Sequence, residues 1–193
     1  MPGALFVLTG YLLGSVLFGL IAASRAGLDL RETGSGNVGA TNVGRLLGKS
    51  TGRVVLVLDA LKGLLPTLGA HLVLGRTDPF TAATGFAASL GHCYPIWYRL
   101  KGGKAAATSA GVLLAITPWA GAAAAVSFIV IKKLSKRASV GSLSASAIAV
   151  PIVGWLDGWT SAPFVLAVAL LVLIVWRHRD NIGRLARGEE PPS

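Results

Sequence analysis

The sequence predicts an all-α, polytopic integral membrane protein with seven transmembrane helices. Three observations carry that reading. Of the 193 residues, 53% are hydrophobic and only 13% charged, about half the charge of a soluble domain. The mean hydropathy is +0.66, and the apolar residues form continuous runs rather than the alternation of a barrel. Finally, the basic residues fall between those runs, on alternate turns of the chain.

The first run, Ala4–Ala23, is long enough for a hydrocarbon core of about 30 Å. It lacks a basic leader and an Ala-x-Ala cleavage site, so it reads as a retained helix. The loop Ser24–Gly52 follows. Within it Val43, Leu46 and Leu47 share a helical face, which predicts a short interfacial helix over Ala40–Leu47. The second span is Val54–Leu74. It carries Asp59 and Lys62 three residues apart on one face, either as a packing pair or as support for a site. A turn at Gly75–Asp78 leads to the third span, Pro79–Tyr98, and then to the basic loop Arg99–Lys104.

Ala105–Ile131 has no charge over 27 residues. It is one tilted helix or two short ones meeting at Thr117-Pro118. Charge placement decides for two. With a break at Pro118, every Lys and Arg except Arg76 and Lys62 falls on one side of the membrane. Trp119 then lies at a membrane interface, as do Trp97, Trp155, Trp159 and Trp176. The last spans are Val140–Leu156 and Thr160–Trp176, and the tail from Arg177 is polar. This topology puts the N-terminus outside and the C-terminus in the cytoplasm. No repeat or linker divides residues 1–193, which read as one domain.

The net charge of +10 would suggest nucleic acid in a soluble protein. Here it reflects loop bias and an anionic substrate. A single cysteine, Cys93, excludes an internal disulfide, and no Cys/His group has metal-ligand spacing. The eight acidic residues are scattered, against a carboxylate-bound metal pair. No cofactor is expected.

Three polar segments share the basic face. The first, Thr33–Asn42, combines Gly34, Gly36 and Gly39 with Ser35, Asn37, Thr41 and Asn42, and Arg45 follows. Small residues bring backbone N–H groups close to a ligand, and with a nearby cation they suit a phosphate. By itself the stretch also suits a flexible linker. The second, Gly102-Gly103-Lys104, opens a helix, where free N–H groups and the dipole favour an anion. It is not a Walker A loop. The third, Arg177–Arg184, closes the last span with Arg177–Asn181, where His178 is either a general base or a hydrogen-bonding group. His92 reads as structural, and His71 lies towards the other face. There is no nucleophile elbow, nor the His-x-x-x-x-Asp acyltransferase pattern.

Four motifs in register over the whole chain resemble a known family. They are Gly34–Asn42, Asp59-x-x-Lys62-Gly63, Gly91-His92-x-Tyr94-Pro95 running to Lys104, and Arg177–Asn181. Together they resemble the bacterial acyl-phosphate:glycerol-3-phosphate acyltransferases of the PlsY type. Two departures are conservative: Ala105 where the family has Gly, and Asp180 where it has Glu. The resemblance implies a seven-helix enzyme of the bacterial inner membrane, with its site on the cytoplasmic face. It would move a fatty acyl group from acyl-phosphate to the 1-hydroxyl of glycerol 3-phosphate. The products would be lysophosphatidic acid and phosphate, with no covalent acyl-enzyme. On that reading Ser35, Asn37 and Arg45 bind and orient phosphate, within a wall formed by Gly34, Gly36, Gly39, Thr41 and Asn42. Lys104 and the Gly102 and Gly103 amides hold the other phosphate or stabilise the transition state. His178 and Asn181 orient glycerol 3-phosphate, and the base is the donor phosphate or His178. The partners expected are the two substrates and the bilayer, with no nucleic acid and a monomeric protein. Rival readings are an anion transporter, which Asp59 and Lys62 within a span keep open, and a scaffold for anionic lipid.

Overall fold

A computed structural model describes residues 2–193; Met1, the first residue of the expected domain, lies outside the described residues. Every regular element among them is helical. The helices are α1 (Pro2–Gly14), α2 (Phe18–Arg25), α3 (Ala40–Leu46), α4 (Lys49–Leu74), α5 (Pro79–Cys93), α6 (Ala106–Ile116), α7 (Pro118–Ser135), α8 (Ala138–Asp157), α9 (Ala162–Arg177) and α10 (Arg179–Ala186). The 3-10 turn Ile96–Tyr98 lies between α5 and α6.

The break at Thr117 stands where the charge argument placed it. Pro118 opens α7, where its missing N–H is no loss. The first apolar run differs from expectation. Its helix stops at Gly14 and resumes at Phe18 after an extended Leu17. Lys62 Nζ donates to the freed Val16 carbonyl at 2.5 Å and pairs with Asp59 at 2.9 Å. Both charges are buried. A polar group in the apolar layer must find its partner within the protein; here a broken helix and an ion pair satisfy one another. α10 is a further difference, because the tail from Arg177 carried no expected helix.

Three helical stretches are long and apolar enough to cross a membrane: Pro2–Arg25 taken through its break, Lys49–Leu74 and Ala138–Asp157. The pair Ala162–Arg177 and Arg179–Ala186, bent by 60°, makes a fourth if it is one span. The other helices are shorter or less apolar, so the count of seven rests on connectivity and charge.

Two packed regions flank the site. The larger core joins α6, α7, α8 and α9 through Val112, Ile116, Ala124, Ala149 and Leu170. A smaller one, Ala23, Leu30, Val43 and Val55, ties α2, the following loop, α3 and α4 together. Small residues let helices approach closely: a Cβ on Gly111 would overlap the Ala60 carbonyl of α4. Large apolar side chains face outward, with Leu72 75% and Trp155 80% exposed, as a lipid-facing surface requires. At the end that holds the α6–α7 break, Asp157 binds Thr117 Oγ1 at 2.5 Å and pairs with Arg76.

Candidate active site

A cavity of about 400 Å³ opens between the polar loops and runs inward among α4, α6, α7 and α8. Its mouth is polar, lined by Ser35, Asn37, Arg45, Lys104, His178 and Asn181. Its other part is apolar, lined by Leu113, Ala124 and Phe128, and it opens at the protein surface beside the exposed Val57 and Ile129. Such a shape fits an amphiphile with an anionic head and a hydrocarbon tail.

The first loop is held by Asn42. Its Oδ1 accepts from the Ser35 N–H at 3.0 Å, and its Nδ2 donates to the Leu30 and Thr33 carbonyls at 3.4 and 3.1 Å. Asn42 is buried and does not reach the cavity. Gly34 has φ +64°, and a Cβ there would strike Asn42 Oδ1. Neither Gly34 nor Gly36 lines the cavity, whereas Gly39 and Thr41 do. The expected wall is therefore two layers: Ser35, Asn37, Gly39 and Thr41 face inward, while Asn42 and Gly34 hold the shape behind them.

The second loop departs from expectation. The Gly102 N–H donates to the Cys93 carbonyl at 3.1 Å and the Gly103 N–H to the His92 carbonyl at 3.0 Å. Their own carbonyls accept from Arg177 Nη2 at 3.0 Å and Nε at 2.9 Å. Neither glycine lines the cavity, and their amides are not free for a phosphate here. What reaches the cavity is Lys104, with Ala105 and Ala106 at the start of α6. The glycines are small because His92 lies against them: a Cβ on Gly103 would overlap His92 Nε2. His92 is buried, its Nδ1 has no hydrogen bond, and it lies 3.7 Å from Asp59 Oδ1. His92 lies beneath the loop and, with Asp59, also lines the cavity, a position the structural reading did not anticipate. Ala105, the departure from the family pattern, sits in the left-handed region at φ +59°.

The third segment supplies His178 and Asn181, both buried. His178 Nδ1 lies 2.8 Å from the Ile174 carbonyl. Facing an acceptor, Nδ1 carries the proton and Nε2 is the free lone pair. Burial and then the Lys104 charge push the His178 pKa down to about 4, so the ring is neutral at physiological pH. Lys104 Nζ donates to Asn181 Oδ1. Burial foremost brings the Lys104 pKa down to about 8; Glu190 and Asp180 resist, while Arg184 and Arg177 reinforce the shift.

Comparison with known proteins decides the family. The family model for glycerol-3-phosphate acyltransferase matches residues 4–188. The chain belongs to the glycerol-3-phosphate acyltransferase family. A relative bearing that acyltransferase name from Anaeromyxobacter sp. (strain Fw109-5) is 45% identical over 192 residues, covering 97% of this chain and 95% of its own. One from Myxococcus xanthus (strain DK1622) is 46% identical over 185 residues, covering 95% and 96%. The chain also superposes with a TM-score of 0.96 on the crystal structure of PlsY (YgiH), described as an integral membrane glycerol 3-phosphate acyltransferase, in its glycerol 3-phosphate form. That match covers 100% of this chain and 96% of the other at 38% identity. The lysophosphatidic acid form of the same acyltransferase matches with a TM-score of 0.93.

The sequence reading missed several cavity residues. Ser139, Ser142, Arg184 and Glu190 all line it. The two serines lie in a helix of small residues where nothing distinguishes them, Arg184 ends a segment marked for the site without a role of its own, and Glu190 lies in a tail read only as polar.

Proposed function

We propose that this protein transfers a fatty acyl group from acyl-phosphate to the 1-hydroxyl of glycerol 3-phosphate. The products are lysophosphatidic acid and inorganic phosphate, in the first step of phospholipid synthesis. The single observation that carries this is the amphiphilic cavity, whose cationic mouth continues into an apolar groove that opens at the outer surface of the helices. One end suits two phosphates and the other an acyl chain. Residues 1–193 act as one domain and as a monomer, with seven spans in the bacterial inner membrane, N-terminus outside and the site cytoplasmic.

An acyl-phosphate is a mixed anhydride with a good leaving group. The acceptor oxygen attacks the carbonyl carbon, the C–O bond to phosphate breaks, and phosphate departs with the bonding electrons. The acceptor proton goes to the donor phosphate. The protein's task is to hold two mutually repelling anions in line and to stabilise charge on the carbonyl oxygen and leaving group. Arg45, Ser35 and Asn37 bind and orient one phosphate, with Gly39 and Thr41 beside them. Lys104 stabilises the developing charge. Asn181 and the neutral His178 orient the acceptor. A histidine with a pKa of about 4 accepts a hydrogen bond from a hydroxyl but is a poor proton sink, which favours the donor phosphate as base. Asp59 and Lys62 are engaged with each other and with Val16, as expected of a packing device rather than of a transport path.

The test is phosphate release by purified protein given acyl-phosphate, with and without glycerol 3-phosphate. Release that requires the acceptor is expected, with no product when an acyl thioester replaces the donor. Absence of release from folded protein would return the transporter and scaffold readings to the front. For topology, labelling of Ser193→Cys in a Cys93→Ala background is expected only from the cytoplasmic side.

A further inference from the structure

Glu190 lies on the segment 188–193, which turns back after α10 and crosses the mouth of the cavity. Three contacts fasten that segment. Arg137 Nε donates to the Glu190 carbonyl at 3.0 Å, Arg45 Nη2 to the Pro192 carbonyl at 2.6 Å, and the Ser193 N–H to the Lys136 carbonyl at 2.8 Å. The Glu190 side chain is buried and lines the cavity. Its Oε1 accepts from Asn181 Nδ2 at 2.6 Å and from Ser139 Oγ at 2.7 Å. Its Oε2 accepts from Arg184 Nε at 2.8 Å. A carboxylate tied at both oxygens has one orientation.

That orientation is passed on. An amide side chain has one donor end and one acceptor end, and the network decides which way it points. With Asn181 Nδ2 on the carboxylate, Oδ1 faces the other way, where it accepts from Lys104 Nζ. We propose that Glu190 is a positioning residue, which fixes Asn181 so that Oδ1 holds Lys104 at the cavity, and which balances the charge of Lys104 there. The proposal rests on the role given above to Lys104 in acyl transfer.

The charges around Lys104 support it. Glu190 and Asp180 are the acids that act on it, Arg184 and Arg177 the cations, and His178 beside it is neutral. Burial alone would raise the Glu190 pKa, but hydrogen bonds from Asn181, Ser139 and Arg184 outweigh it and bring the pKa below the ordinary value. Glu190 is therefore ionised at neutral pH. Without it, Lys104 faces two guanidiniums with Asp180 as the remaining acid.

Two charge-removing variants give shifts of opposite sign, which a merely structural role would not. Glu190→Gln keeps the size and the acceptor oxygen but loses the charge. Its kcat/KM should lose its alkaline limb at lower pH than wild type, with about a tenfold loss near pH 8 and a smaller one near pH 6. Arg184→Gln removes a cation, and the alkaline limb should move to higher pH. The charge state of Lys104 is read independently of turnover from the pH dependence of its reductive methylation, followed by mass spectrometry. The methylation midpoint should fall in Glu190→Gln and rise in Arg184→Gln. If wild type releases no phosphate, the acyltransfer reading fails, while methylation still decides whether Glu190 governs Lys104. An unchanged midpoint in Glu190→Gln overturns the proposal, whatever Arg184→Gln does, because Arg184 also acts on Lys104 directly. So does a higher kcat/KM in Glu190→Gln across the pH range, since it would show that the segment occludes the site. Should Glu190→Gln not fold in detergent, Glu190→Asp decides in its place: its carboxylate is drawn back by one methylene from Asn181 and Lys104, so the methylation midpoint should fall, and an unchanged midpoint overturns the proposal.

Discussion

Two glycine-rich loops meet at the cavity, and they use glycine differently. In Gly34–Asn42 the backbone is shaped by the buried side chain of Asn42, leaving Ser35 and Asn37 to face the cavity. In Gly102–Lys104 both glycines are bound on each side, by the carbonyls of residues 92 and 93 and by Arg177. The first loop presents its own polar groups; the second is a rigid arm that presents Lys104. Two stretches that look like anion cradles thus divide into a binding surface and a mount. The N–H of a glycine is available to a ligand only when no nearer carbonyl has taken it.

Removing what the second loop presents should have the largest effect. Lys104→Ala is expected to lower kcat/KM by about 10²–10³-fold, the range for loss of one charge-stabilising donor, measured as acceptor-dependent phosphate release. With Lys104 intact, kcat/KM should fall as pH rises through about 8, since its charged form is lost above that value. It should also fall as pH drops through about 4, where His178 gains a proton. An alkaline limb that persists unchanged in Lys104→Arg would remove Lys104 as its source.

The mount itself comes next. Gly103→Ala forces the loop away from His92, and a displacement of about 1 Å at Lys104 should lower kcat about 10²-fold together with thermal stability. The binding surface should behave differently. Ser35→Ala and Asn37→Ala should each cost about 1 kcal/mol of substrate binding, seen as a raised KM with an unchanged melting temperature. If Gly103→Ala raised KM alone with stability intact, the division between the loops would collapse.

The smallest effect tests the family departure at the end of the mount. Ala105 has a left-handed backbone, a conformation that costs a non-glycine residue about 1–2 kcal/mol. Ala105→Gly should raise the free energy of unfolding in detergent by about 1 kcal/mol, seen as a higher midpoint, with kcat little changed. A lowered midpoint would show that packing of the buried Ala105 methyl outweighs the strain.

The sequence by itself determined the all-α membrane fold and the break at Pro118, and it marked the segments that meet at the cavity. The reason is that a bilayer is a simple solvent: it demands apolar length, pushes cations to one side and makes each charge within a span conspicuous. Asp59 and Lys62 were legible as a pair on that ground, and Arg45, Lys104 and His178 as polar groups, which line the cavity. Only the tertiary structure decided which polar groups remain free. The break at Val16, which receives Lys62, left no mark in an unbroken apolar run. The capture of the Gly102 and Gly103 amides, the inward turn of Asn42 and the seat of Glu190 also depend on partners from elsewhere. Arg45 meets Pro192 across 147 residues, and Lys104 meets Asn181 across 77. A hydrogen bond is satisfied by whatever lies within about 3 Å in space, and nearness of that kind is a property of the packed chain.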